Sequence, residues 1–128
     1  MISPSLEQLA TWRELAVEAA RTAAHLLLAW AEADETQLGV QNKGDGSPVS
    51  QADFASHAAI AAALKGTHLP LLSEEGPQHT WEERRAWTWF WLVDPLDGTE
   101  AFLKYREGFA VNIALCGPEG PVIGVVAD

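Results

Sequence analysis

The chain is 128 residues long, enough for about one domain with a real core. It is 48% hydrophobic and 20% charged, which excludes disorder as its default state, and its net charge of −10 argues against a nucleic-acid polymer or an anionic bilayer as a general partner. A single cysteine, Cys116, excludes an intrachain disulfide and suits a reducing compartment.

From Ser5 to Trp30 apolar residues recur at helical spacing (Leu6, Leu9, Leu15, Ala16, Ala19, Ala23, Leu26, Leu27 and Trp30), predicting one long amphipathic helix started by Ser3-Pro4 or by Ser5 with Gln8. Glu7, Arg13 and Glu14 interrupt any signal-peptide pattern, and no apolar run approaches the roughly 20 residues of a membrane span. A short extended piece is expected around Leu38–Gln41, then an irregular loop over "NKGDGSP". Ser50, with Asp53 three residues on, caps a second helix ending at Gly66, with Phe54, Ala58, Ala61 and Leu64 on one side.

The period then changes. "LPLLS" and "WTWFWLV" read as strands, each running into acids, Glu74-Glu75 and Asp94. "WEERRAW" between them reads as an exposed charged segment with one turn of helix. "FAVNIALC" and "PVIGVVA" flank "GPEG" as a hairpin. Helices followed by locally joined strands predict an α+β fold, two helices on a mostly antiparallel sheet, in one domain over residues 1–128.

If the two acid-terminated strands are parallel neighbours, Glu74, Glu75, Asp94 and Asp97 meet at one sheet edge. Like charges do not gather by preference, whereas a hard divalent cation, Mg²⁺ above all, favours such oxygen ligands. Pro95 stiffens the turn so that both aspartates and the Leu96 carbonyl can face one point. Gly98 lets backbone approach a ligand, and Gly98-Thr99 opens a short helix whose amides suit a phosphate. Metal ligands beside a phosphate seat suggest metal-assisted phosphoester hydrolysis. Against this, Asp-Gly is a common turn dipeptide and loop acids are usually solvated surface. His25, His57, His68 and His79 read as packed or solvated, Cys116 as a buried thiol, and Trp87, Trp89 and Trp91 as one packing face.

"LLSEEG" followed by "WLVDPLDGTEAF" resembles the lithium-sensitive, Mg²⁺-dependent inositol monophosphatase superfamily, and "KGDGSPVSQAD" resembles its Ser-Pro-Val-Thr-x-x-Asp segment, with Ser50 where threonine is usual. Within it the chain is most similar to the 3'(2'),5'-bisphosphate nucleotidase branch, of the bacterial CysQ type. The resemblance implies two or three Mg²⁺ ions, inhibited in action by lithium. Glu74, Asp94 and the Leu96 carbonyl would hold one ion, Asp94 and Asp97 a second, and Glu75 would support the site or a further ion. Asp53 and Thr99, with Glu74, would be catalytic, orienting and activating water. Glu74, Leu96, Asp97, Gly98 and Thr99 would line the substrate, with Lys43 nearby. The implied reaction is in-line hydrolysis of the 3'-phosphate of adenosine 3',5'-bisphosphate. Inositol or another sugar monophosphate is the alternative substrate, and a metal-binding domain without turnover is the alternative role. A structural Ca²⁺-binding module is disfavoured, because no DxDxDG-type loop is present. The single cysteine and the lack of a signal-peptide pattern or membrane-spanning run make a cytoplasmic setting the expectation, and the resemblance further implies peripheral association with the inner face of the plasma membrane. The family's later Trp-Asp-x-x-Ala does not occur before Asp128, so an amino-terminal fragment lacking the carboxy-terminal domain is expected. "TEAF" stands where the nucleotidase branch usually continues Lys-Glu-Phe.

Overall fold

The computed structural model describes residues 3–34, 38–42 and 48–128. Helix α1 spans Leu6–Trp30 and starts where the Ser5 hydroxyl accepts the Gln8 amide at 3.0 Å. Two short strands, β1 (Gln41–Asn42) and β2 (Pro48–Val49), pair antiparallel. Most of the "NKGDGSP" loop, Lys43 included, lies outside the described residues. Helix α2 (Gln51–Leu64) leads through a 3₁₀ turn, Lys65–Thr67, to strand β3 (Leu71–Ser73). A single turn of helix, α3 (Trp81–Arg84), precedes β4 (Phe90–Asp97); then follow α4 (Thr99–Tyr105), β5 (Ala110–Gly117) and β6 (Gly120–Ala127).

The four longer strands form one mixed sheet in the order β3-β4-β5-β6. Strands β3 and β4 run parallel, which the long connection from Glu74 to Trp89 permits, and the other two pairings are antiparallel. The α+β expectation holds. The β5–β6 hairpin turns through Gly120, whose φ of 115° a side chain would resist.

Alternation along β5 turns Val111, Ile113 and Leu115 inward, and Trp91 and Val93 of β4 join them. Both long helices cover this face, α2 over β4 and α1 over β5 and β6. Burying a side chain such as Ile113 or Leu115 contributes about 1.5–3 kcal/mol. Helix α1 buries Trp12, Ala16, Ala19, Ala20, Ala23 and Leu27. In α2 the buried face is Ala52, Asp53, Ser56, Ile60 and Leu64, so the expected Phe54–Ala58–Ala61 side is corrected. Phe54 is 40% exposed and Ala58 is exposed as well. The run of alanines hides the helical phase, and polar partners at Asp53 and Ser56 decide which side turns inward.

The aromatic segment also starts later than its composition suggests, since β4 begins at Phe90. Trp89 and Trp91 are buried on the core side, and Trp91 donates its indole N–H to Thr67 Oγ1 at 3.0 Å. Trp87 lies before the strand, edge-on to His79, which itself bonds Glu83 at 3.2 Å. No described helix is long and apolar enough to cross a membrane.

Candidate active site

Asp53 occupies the third position of α2 and is 1% exposed. Its Oδ2 accepts the Ser50 amide and the Ser50 hydroxyl, each at 2.8 Å, closing the predicted capping box. Its Oδ1 accepts the Thr99 hydroxyl at 3.0 Å across 46 residues of sequence. Thr99 Oγ1 also lies 3.1 Å from the Leu96 carbonyl, but a hydroxyl carries one proton and donates fully to one of them at a time. Donation to Asp53 releases the Leu96 carbonyl from Thr99 and leaves Thr99 with lone pairs that can accept from water.

Pro95 sits inside β4 rather than in a turn after it. It has no N–H for the ladder, and the pairing register slips there: Asp94 lies opposite Asn112 and Asp97 opposite Ala110. Three steps on β4 thus match two on β5, a β-bulge. In an unbroken strand residues three apart face opposite sides. Here Asn112, the register partner of Asp94, donates to Asp97 Oδ2 at 3.0 Å. The bulge is what brings Asp94 and Asp97 to one strand partner. Asn112 was not singled out from sequence; its place as the polar break in an alternating apolar strand was the available signal.

Gly98 caps α4 in left-handed geometry, φ 90°. A Cβ there would lie 2.7 Å from the Gly108 carbonyl oxygen, so the position admits no side chain without backbone movement. Thr99 follows as the first residue of α4.

The parallel pairing of Ser73 with Val93 brings the chain ends carrying Glu74 and Asp94 side by side. Both line one cavity of about 380 Å³ on the face of the sheet away from the helices, with Asn112, Leu92, Ala114 and Val126. Glu75 turns the other way, toward His57. Burial pushes the His57 imidazole below its ordinary pKa, and the Glu75 charge partly offsets this. Glu74 and Asp97 are exposed, and Asp94 is half-buried.

Two groups therefore emerge among the expected residues. Asp53, Thr99 and the Leu96 carbonyl form a hydrogen-bonded set, while Glu74 and Asp94 line one cavity that Asn112 shares and links to Asp97. Glu75 lies near His57, where its charge acts on the imidazole. All candidate donors are oxygens, which fits Mg²⁺ and not a soft metal. Among the described residues no three acidic, histidine or cysteine side chains already converge as a metal cluster. Of the remaining residues, His25 is exposed, and Cys116 is a buried free thiol whose pKa burial raises.

Fold and site together define an α+β layer in which Glu74 and Asp94 lie side by side where the parallel strands end. The chain belongs to the inositol monophosphatase family, whose model matches residues 8–128. It is similar to the 3'(2'),5'-bisphosphate nucleotidase CysQ of Escherichia coli strain K12, with 47% identity over 91 residues, 70% of this chain and 37% of that protein. The crystal structure of CysQ from Bacteroides thetaiotaomicron matches with a TM-score of 0.75 at 40% identity, over 89% of this chain and 41% of that one. A staphylococcal inositol monophosphatase, solved as a LiCl-soaked inhibitory complex, shares the fold at 18% identity with a TM-score of 0.76, over 99% of this chain and 46% of that one. The chain spans less than half the length of each of these relatives.

Proposed function

We propose that the protein carrying this chain is a Mg²⁺-dependent phosphomonoesterase that removes the 3'-phosphate of adenosine 3',5'-bisphosphate. This chain would be its amino-terminal metal- and phosphate-binding domain, working in the cytoplasm. The observation that carries the reading is the Asp53–Thr99 hydrogen bond of 3.0 Å, set beside the Leu96 carbonyl. The nucleotide substrate rests on the similarity to the nucleotidase relatives.

Glu74, Asp94, Asp97 and the Leu96 carbonyl would hold magnesium, with Glu75 supporting. Bound there, Mg²⁺ would offset phosphate charge and make a water more acidic. The chain's own groups do the positioning. Asp53 is buried and held by Ser50 on one oxygen, so its other oxygen is a fixed acceptor for Thr99. With its proton directed to Asp53, Thr99 Oγ1 can accept a hydrogen bond from the attacking water and orient it. A proton drawn off through Thr99 would rest on Asp53 Oδ1. The amides of Gly98 and Thr99 are the expected phosphate donors, and the absent side chain of Gly98 lets this turn pack on the Gly108 carbonyl.

Release of inorganic phosphate from adenosine 3',5'-bisphosphate by the complete protein tests the reading. Turnover that needs Mg²⁺, falls with lithium and exceeds that on inositol monophosphate is expected. Equal release in excess chelator would overturn the metal chemistry. A higher kcat/KM on inositol monophosphate would overturn the substrate.

A further inference from the structure

Helix α2 touches the site at more points than Asp53. One residue short of a turn further along, Ser56 donates to the Pro95 carbonyl at 2.6 Å, a bond spanning 39 residues, and Ser56 is fully buried. The next residue, His57, places Nδ1 2.9 Å from Ser73 Oγ. Ser73 is 6% exposed and is the last residue of β3, directly before the acidic pair. Its hydroxyl oxygen also accepts the Glu75 amide at 3.4 Å, and its carbonyl accepts the Gly76 amide at 3.2 Å. Gly76 is packed on the same imidazole, for a Cβ there would lie 2.9 Å from His57 Cε1. The turn carrying Glu74 and Glu75 is thus tied at its start by Ser73 and seated at its end on the His57 ring.

We infer that His57 is a positioning residue: through Ser73 it sets the backbone of the Glu74–Gly76 turn against β4, and so fixes the acidic pair relative to Asp94. This rests on the proposed metal-site reading of those acids. Asp53, Ser56 and His57 occupy one side of α2 and each grips a different segment: Thr99 at the start of α4, Pro95 in the β4 bulge, and Ser73 at the end of β3. Of the three, only the His57 contact reaches the strand carrying the glutamates. Without it that turn would keep its own short hydrogen bonds but lose the Ser73 link to the helix that also grips Thr99 and Pro95. His57 holds no ligand itself. The ring acts through Ser73, and a side chain offering a polar atom at the same reach, as asparagine does, should substitute for it.

Thermal unfolding of the chain over a series of MgCl₂ concentrations reads apparent affinity from the rise in Tm. His57→Ala is expected to weaken Mg²⁺ binding about tenfold, the usual order for groups that orient metal ligands from behind. Its Tm without metal should fall only slightly, and His57→Asn should recover most of the wild-type affinity. Ser73→Ala provides an independent variant if His57→Ala is poorly folded, with the same weakening expected. No Mg²⁺-dependent rise in the wild type would remove the metal-site reading, and this inference with it. A normal rise in the wild type, matched by both alanine variants, would overturn the positioning role alone. Failure of asparagine to restore affinity would likewise overturn it, by showing that the imidazole matters only as packing.

Discussion

Substituting Gly98 by alanine tests the geometry of the site at its tightest point. Two costs add. A non-glycine residue at φ 90° and ψ 37° adopts left-handed backbone, worth roughly 1–2 kcal/mol. The new Cβ also falls 2.7 Å from the Gly108 carbonyl oxygen, closer than such contacts occur, so backbone must move. Overpacking of that kind costs typically about 1–3 kcal/mol. The sum is about 2–5 kcal/mol, a large share of the roughly 5–15 kcal/mol that holds a domain folded. At a urea m-value of roughly 2 kcal/mol/M, the midpoint should drop by about 1–2.5 M. Gly66→Ala is the control, because its backbone is not left-handed and its added methyl meets nothing within 4 Å. That variant should be unchanged or stabilised by about 0.4–1 kcal/mol. Urea unfolding followed by tryptophan fluorescence measures both. A Gly98→Ala midpoint within about 0.3 M of wild type would refute the close approach of Gly98 to Gly108, and with it the stated placement of Thr99.

Two further outcomes follow from the same contacts. Ser56→Ala removes the buried donor to the Pro95 carbonyl and should cost about 1–2 kcal/mol in urea unfolding; a change below about 0.3 kcal/mol would mean the bond does not hold α2 to the bulge. Cys116 is 7% exposed and burial raises its thiol pKa, so alkylation by iodoacetamide at pH 8 should be slow in the native chain and rapid in denaturant. Equal rates in both conditions would show that this end of β5 opens readily.

Much of the fold was legible because the hydrophobic period changes sharply after Gly66, and because Ser5, Ser50 and the Gly-Pro-Glu-Gly turn punctuate the chain. The parallel pairing of β3 with β4 could be posed only as a condition, since one sequence does not say which strands are neighbours. The α2 face was misread for a physical reason: with alanine at half of its positions, burial there is decided by Asp53 and Ser56 finding partners 46 and 39 residues away. The acids and the Asp-Pro-Leu-Asp-Gly-Thr run were visible as a candidate site from residue types alone. What was not visible is how Pro95 works. It breaks the ladder inside β4 instead of closing the strand, and across the resulting bulge Asn112, the register partner of Asp94, donates to Asp97. His57 could be read only as a packed or solvated histidine, because its partner Ser73 lies on a different element.

The proposed magnesium site depends on the β3–β4 pairing, which sets Glu74 beside Asp94, and on the bulge, across which Asn112 holds Asp97. Titration calorimetry of the chain with MgCl₂ tests it most directly, run beside Asp94→Asn with circular dichroism establishing that both are folded. Saturable heat in the wild type that disappears in the variant is the expected result. A folded wild-type chain that takes up no magnesium, or an Asp94→Asn chain that binds it equally well, would contradict the account.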